Sequence, residues 1–440
     1  MDNNKKQELL FYGSNRLTRF FPRAGARLLD LLIPPILSSR WLSILFRQHN
    51  LSVVRSIPSF KRLLILPDIH IGDAVLTQSV LGAIRDFFPD AHVDYVVNKV
   101  VYPLIRGNAE ATRVLPLFSL KSLPSSHEIR MLRELIAHER YDLCMTFCTF
   151  ISNKDIVSDS CRSIHFLTNL GAMIRNDKDP SLINHLAYQF YRFSRDLFLE
   201  VASPVREESF QGIRLALADS AVEYAFRFLS EARVSFDRPV ILYNPDTASP
   251  YTRMPFDKQV QLLRLLVRLP ITLLLGTGHN DATIGERLKA SLPASAHRKV
   301  ILLPPGFPLE SYAALTDFCD VFVSGDTGPL HLASARRYSP SGKYRFRNRT
   351  AVMSFFGATP ARLTGYDSSR PGYLPANQDA PSWCYVSESA CRNITCINKI
   401  YKSCDVIRCF EKIDIEDMAG NISLYLKRLP HHASSIPLTH

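Results

Sequence analysis

From residue 61 onward the chain repeats one pattern: a short apolar run, a polar or small-residue loop, then a stretch with apolar positions every three or four residues. Residues 63–66 form the first run, the loop 67–73 follows, and a helical pattern runs from Ala74 to about Phe88, ended by Pro89. Residues 93–97, 114–117, 142–147 and 163–167 are further strand candidates, with helical stretches such as 129–138 between them. Amphipathic helices at 183–200 and 219–232 close this first half. A second alternation starts at Arg238: strand 240–243, loop 244–255, helix 257–268, strand 271–275, loop 276–280, a helix to about Ala290, strand 300–303 and helix 310–319. Strand 321–323, a small-residue turn at 324–328, another helix and strand 351–355 complete it. Strands that alternate with helices form parallel sheets covered on both faces, so the pattern predicts an α/β chain with two such sheets. Facing each other, they would leave a cleft between the carboxyl ends of their strands, where open parallel sheets bind ligands.

The stretch Val321-Phe-Val-Ser-Gly-Asp-Thr-Gly-Pro-Leu-His-Leu-Ala-Ser-Ala335 stands out within this pattern. A strand that runs through small residues into a helix gathers free backbone N–H groups at one point, and the helix dipole favours an anion there. Thr327 adds a hydroxyl, Gly328 permits close approach, and Asp326 and His331 flank the same place. The plainer reading is a strand–helix turn capped by Asp326, with no ligand.

Composition narrows the class. The 440 residues are 46% hydrophobic and 21% charged, an ordinary globular balance with length for two or three domains. No apolar stretch approaches the roughly 18–20 residues that span a bilayer. The first residues lack an apolar core followed by a small-residue cleavage site, so the expected location is the cytoplasm. The net charge is +12. Residues 1–62 hold eleven Lys/Arg against three acids, a local excess of 11 − 3 = +8. A basic, apolar-rich extension at 1–60, broken by Pro34 and Pro35, suits an anionic membrane surface; the alternative is packing on the body of the protein. No nucleic-acid-binding module or aromatic stacking pattern accompanies the charge, so nucleic acid is not an expected partner.

Three motifs in order carry a resemblance to a known family. Leu64-Ile-Leu-Pro-Asp-Ile-His-Ile-Gly-Asp-Ala-Val-Leu76 resembles the N-terminal signature of glycosyltransferase family 9, the heptosyltransferases. The stretch from Ser324 to Ala335 resembles the family's Asp-Thr-Gly…His signature. Ser354-Phe-Phe-Gly-Ala-Thr-Pro360 resembles the strand and loop that follow it. The fit extends over about residues 61–425. The resemblance implies a GT-B architecture of two Rossmann-like domains: an acceptor domain at 61–235 and a nucleotide-sugar domain at 236–427, with a tail at 428–440. It implies an inverting, metal-independent transferase that moves a heptose or related sugar from a nucleotide-sugar, ADP-heptose in the first place, to a lipopolysaccharide-core or other lipid-linked saccharide. No cofactor is expected, and the cell location becomes the cytoplasm or the inner face of the membrane.

Residue by residue, the resemblance makes Asp73 the base that takes the acceptor proton, with Gly72 admitting acceptor and sugar. Thr327 and Gly328 match the diphosphate site, and Asp326 and His331 match positions lining the donor pocket; a core histidine bonded to Asp326 is the alternative for His331. In the loop 244–255, Thr247 and Ser249 match hydroxyl donors. The family's lysine is absent: Thr252 stands in its place, and Arg253 is the nearest cation able to bind phosphate. Asp281 is the nearest acid for the ribose, and Pro67 stands where a basic residue is common. The segment 336–350 is longer than the family's crossing and holds six Lys/Arg; Arg345, Arg347 and Arg349 are expected to contact phosphates of acceptor or membrane, with a solvated loop as the alternative. Nine cysteines are present, five of them between Cys384 and Cys409. Their spacing only partly follows zinc-site pairs, so a loop of reduced thiols is expected rather than a metal or disulfide framework. A rival to the enzyme is a catalytically inactive protein of this fold that holds phosphorylated glycans or lipids.

Overall fold

The structure is a computed structural model and describes residues 40–67, 70–119, 125–147, 161–166, 179, 181–207, 210, 212–247, 252–278, 281–357, 359–377, 379–387 and 408–429. Residues 1–39, Ser249, Cys391, Cys396, Cys404 and 430–440 lie outside these, and so do the expectations placed on them. The chain divides into two compact units, and among the described residues the division falls between Ile213 and Arg214.

The first unit holds a five-stranded parallel sheet: β1 (Arg62–Pro67), β2 (His92–Asn98), β3 (Arg113–Phe118), β4 (Leu143–Phe147) and β5 (Ser163–His165). Its order is β3-β2-β1-β4-β5. The run Leu63–Leu66 is wholly buried because β1 is the central strand, covered by helices on both faces. The helices Ser79–Phe87 and Leu186–Phe198 pack together on one side. Between them the buried Asp86 carboxylate accepts a hydrogen bond from the Tyr191 hydroxyl (2.8 Å) and pairs with Arg195 (3.5 Å).

The second unit begins with β6 (Arg214–Ala216), followed by β7 (Val240–Asn244), β8 (Thr272–Leu275), β9 (Val300–Leu302), β10 (Val321–Gly325), β11 (Arg336–Tyr338), β12 (Ala351–Phe356) and β13 (Ser382–Val386). Six of these strands form a parallel sheet in the order β13-β12-β10-β7-β8-β9. β6 pairs in parallel with β11 in a separate two-stranded ribbon. The helix Asp219–Glu231 packs on Leu309–Thr316. Residues 214–232 thus belong with the second unit rather than closing the first. The tie is non-local: three residues of β6 find three residues of β11 more than a hundred positions later.

Both sheets have one winding. The chain builds outward from an inner strand through two neighbours, then returns to the other side of that inner strand. The order reverses between β1 and β4 in the first sheet and between β7 and β10 in the second. At such a switch point the loops leaving the two strands diverge to opposite faces and open a crevice at the carboxyl ends.

Candidate active site

In the second sheet the crevice opens where β7 ends at Asn244 and β10 at Gly325. The Asn244 side-chain amide donates to Ser324 Oγ (3.1 Å) and to the Asp246 carbonyl (2.8 Å), which ties the two strand ends together. Beyond Gly325 the backbone turns through Asp326 and Thr327 into the helix Gly328–Ser334. Thr327 is the N-cap residue, with extended backbone (φ −161°, ψ 163°), and its side chain makes no capping bond. Pro329 sits in the first turn, where no N–H is needed. Asp326, Thr327 and Gly328 are partly exposed, while Leu330 to Ser334 are buried.

The third motif reaches back to this turn. Thr364 Oγ1 donates to Asp326 Oδ1 (2.9 Å), and the buried Tyr366 hydroxyl shares a hydrogen bond with His331 Nδ1 (2.9 Å). Both partners come from the segment following β12. His331 is therefore partnered by Tyr366 rather than by Asp326. Burial pushes the His331 pKa down to about 4, against the opposing pull of the Asp326 carboxylate, so the imidazole is neutral at neutral pH.

The loop after β7 packs under the same turn. A Cβ added at Gly325 would lie 2.8 Å from the Thr252 carbonyl and 3.2 Å from Thr247 Cγ2. Only glycine lets the loop come this close. Thr252 Oγ1 donates to Thr247 Oγ1 (3.0 Å). The residue that replaces the expected lysine is thus used to shape the loop. Arg253 forms an ion pair with the buried Asp246 carboxylate and donates to the Thr247 carbonyl (3.4 Å). Its Nε is buried without a hydrogen-bond partner among the described residues. Asp246 also accepts from the Thr247 N–H (2.9 Å) and leaves no room for a side chain at Gly278, where a Cβ would meet Oδ2 at 2.5 Å. Asp281 is committed to Thr283 (2.8 Å) and Arg287 (2.9 Å), and the Thr283 hydroxyl holds its carboxyl below the usual range.

In the first sheet the chain leaves β1 at Pro67 and enters the helix Ile71–Leu76, which takes in Gly72 and Asp73 and so begins earlier than the sequence pattern suggests. A second helix, Ser79–Phe87, follows after a break at Thr77 and Gln78. Asp73 lies in the first turn and is partly exposed. Its backbone is clamped: its carbonyl accepts from Thr77 N (2.9 Å) and Thr77 Oγ1 (2.8 Å), and the buried Tyr95 hydroxyl donates to the next carbonyl, Ala74 (2.7 Å). The acid therefore stands at the switch point of its sheet on a fixed main chain.

The basic segment 336–350 lies elsewhere. It leads into β12, whose first residue, Ala351, pairs with Val321, the first residue of β10. It therefore runs along the amino edge of the sheet, while the Asp326–Gly328 turn is at the carboxyl edge. Five strand residues at about 3.3 Å each separate the two edges by roughly 15 Å. Nearness in sequence to the turn is not nearness in space, and the main chain at Arg345, Arg347 and Arg349 stands away from the Asp326–Gly328 turn. Of the clustered cysteines, Cys384 and Cys409 are buried. Burial pushes Cys384 up to about 12. Among the described residues no group of three or more His, Cys, Asp or Glu could hold a metal ion, and no helix is long and apolar enough to cross a membrane.

Two parallel sheets of this winding, each with polar residues at its switch point, give the fold of a two-Rossmann-domain glycosyltransferase. The Escherichia coli ADP-heptose LPS heptosyltransferase II superposes with a TM-score of 0.57 at 15% identity, covering 83% of this chain and 98% of that one. The E. coli heptosyltransferase WaaC with ADP gives 0.51 at 18% identity, covering 83% and 99%. In sequence, the chain is 21% identical over 294 residues to lipooligosaccharide heptosyltransferase 2 of Haemophilus ducreyi, 62% of this chain and 80% of that protein. The family model of glycosyltransferase family 9 (heptosyltransferase) matches residues 194–339. The chain is a glycosyltransferase.

Proposed function

We propose that the chain transfers a heptose, or a closely related sugar, from ADP-heptose to a lipopolysaccharide-core or other lipid-linked saccharide at the cytoplasmic face of the membrane, with inversion and without a metal ion. The observation that carries this reading is the convergence of three separate segments, residues 244–247 with 252–253, the Asp326–Gly328 turn and the Thr364–Tyr366 segment, on one switch point. The relatives named with ADP or ADP-heptose support the choice of nucleotide. The metal-independent, inverting course is taken from the family resemblance.

In this reading the second unit holds the donor. The diphosphate lies against Thr327 and Gly328 at the helix start, and Arg253, held by Asp246, offers guanidinium N–H donors in place of the missing lysine. His331, neutral and fixed by Tyr366, lines the pocket without adding charge. The first unit holds the acceptor, with Asp73 as base. The acceptor hydroxyl oxygen attacks the anomeric carbon and forms the new C–O bond. The bond from that carbon to the diphosphate breaks with its electron pair going to the phosphate oxygen, and the acceptor proton passes to Asp73.

A second reading has one observation in its favour. Thr252, in the lysine's place, is tied to Thr247, and Arg253 is neutralised by Asp246; a site so arranged suits retention of a phosphorylated glycan without turnover. The test is a thermal-shift panel of ADP-, UDP-, GDP- and CMP-sugars, followed by turnover assays on wild type and Asp73→Asn. A ligand at about 100 times its Kd adds about 2.7 kcal/mol of stability. A shift with ADP-sugars and turnover lost in Asp73→Asn supports the transferase. A shift with no turnover in either protein supports the binding protein.

A further inference from the structure

We infer that Tyr366 is a positioning residue for His331: its hydroxyl donates to Nδ1 and sets the ring as the tautomer that keeps its proton on Nε2, and that N–H is offered to the donor's diphosphate. The inference rests on the donor reading of the second unit and says how one side chain of that site is prepared.

His331 lies on the helix Gly328–Ser334, and Tyr366 lies two residues beyond the short helix Ala361–Thr364. Both are buried. Their rings meet edge to face with centroids 5.9 Å apart, and the Tyr366 hydroxyl is 2.9 Å from His331 Nδ1. Tyr366 is held on both sides. On one side the Gly365 N–H donates to the Ala361 carbonyl (2.6 Å), and a Cβ added at Gly365 would meet that carbonyl at 2.6 Å and Cys384 Sγ at 2.9 Å. On the other side Tyr366 bridges to Leu374, whose carbonyl accepts from the Asp367 N–H (2.9 Å). The hydroxyl is thus a fixed point against which the imidazole is aligned.

Acidity sets the direction of the bond. A phenol O–H is a stronger acid, and so a stronger donor, than a neutral imidazole N–H, and an imidazole nitrogen accepts better than a phenol oxygen. Burial, joined by the Asp326 carboxylate, pushes the Tyr366 pKa well above its ordinary value, so the proton is there to be donated. Neutral His331 has one ring proton; with Nδ1 accepting, that proton is on Nε2. Among the described residues Nδ1 is the one ring nitrogen of His331 with a protein partner, which leaves Nε2–H for a ligand. The neighbouring carboxylate, Asp326, is engaged by Thr364 from the same segment (2.9 Å). An uncharged donor suits a leaving diphosphate. As the bond to the anomeric carbon breaks, the phosphate oxygen gains negative charge, and the Nε2–H hydrogen bond strengthens without handing over its proton.

The experiment is nitrogen NMR of the full chain labelled with ¹⁵N at histidine, the His331 signals being assigned by their loss in His331→Gln. At neutral pH the expected spectrum shows a bare, accepting Nδ1 and a protonated Nε2, and added ADP should move the Nε2 signal. A proton on Nδ1 with a bare Nε2 overturns the inference, and so does an Nε2 signal that ADP, once bound, leaves in place. Kinetics supply the second arm. Tyr366→Phe keeps the ring and removes the hydroxyl; it should lower kcat about tenfold, the scale of one hydrogen bond, with the KM for the sugar-nucleotide little changed. In a His331→Gln background, where the amide N–H needs no partner at Nδ1, the same change should cost less than about twofold. Equal losses in the two backgrounds make Tyr366 a packing residue and overturn the inference. Should Tyr366→Phe fail to fold, the wild-type spectrum decides. A chain that binds no ADP but shows the Nε2–H tautomer overturns the donor reading and leaves the Tyr366–His331 assignment standing, so the two failures are told apart.

Discussion

The two sheets are wound alike yet prepare their switch points differently. In the first, a short helix places one acid, Asp73, beyond β1, and the order around it comes from main-chain bonds to Thr77 and Tyr95. In the second, three segments lock together through buried polar groups: Asn244 to Ser324, Asp246 to Arg253, Thr364 to Asp326 and Tyr366 to His331. One winding supplies the crevice in both cases, and the connections supply the chemistry. A single proton acceptor needs one well-placed oxygen. A leaving diphosphate needs many donors fixed in advance, and on the proposed reading this is the reason for the heavier construction on the second side.

Perturbing each side separately tests that division of labour. The largest effect is expected from Asp73→Asn, which should lower the transfer rate by about 10²–10⁴-fold while leaving the ADP-sugar thermal shift unchanged; a lost shift would make Asp73 part of the donor side. Asp246→Asn removes the partner that orients Arg253 and should weaken ADP-sugar binding about 10–100-fold by calorimetry, with unaltered binding taking Arg253 out of the donor site. Next comes pH. His331 keeps a pKa of about 4 in the folded chain, below its ordinary 6.5. Between these values the unfolded chain takes up a proton that the folded chain does not. Its contribution is complete above pH 6.5 and is lost as pH falls to about 4, roughly 3 kcal/mol in all. Melting temperatures across that range should fall less steeply in His331→Gln. The smallest effect is expected from Gly325→Ala, which pushes the Thr252 carbonyl away and should cost about 1–3 kcal/mol in chemical denaturation, with some loss of nucleotide affinity.

The alternation of strands and helices was legible because both sheets are parallel and buried, so each strand announces itself as an apolar run. The turn at Ser324–Gly328 was legible for the same reason: small residues between two apolar stretches have few other uses. What escaped are contacts between distant residues. Nothing in the local sequence around His331 points to Tyr366, thirty-five positions on. The Asp246–Arg253 pair depends on a loop folding back on itself, which the spacing of its residues does not announce. The arginines at 345–349 follow the turn closely in the chain, yet the helix Gly328–Ser334 has already carried the chain back to the opposite edge of the sheet.

The pairing of β6 with β11 bears on how the second unit is to be cloned. A recombinant fragment starting at residue 236, where the apolar pattern restarts, would leave an open strand edge at Arg336–Tyr338 and uncover the face of Leu309–Thr316 that Asp219–Glu231 protects. Such an exposed edge invites pairing with another chain. A fragment that starts at Gly212 keeps both partners, and soluble yield is the property in which the two clones should differ.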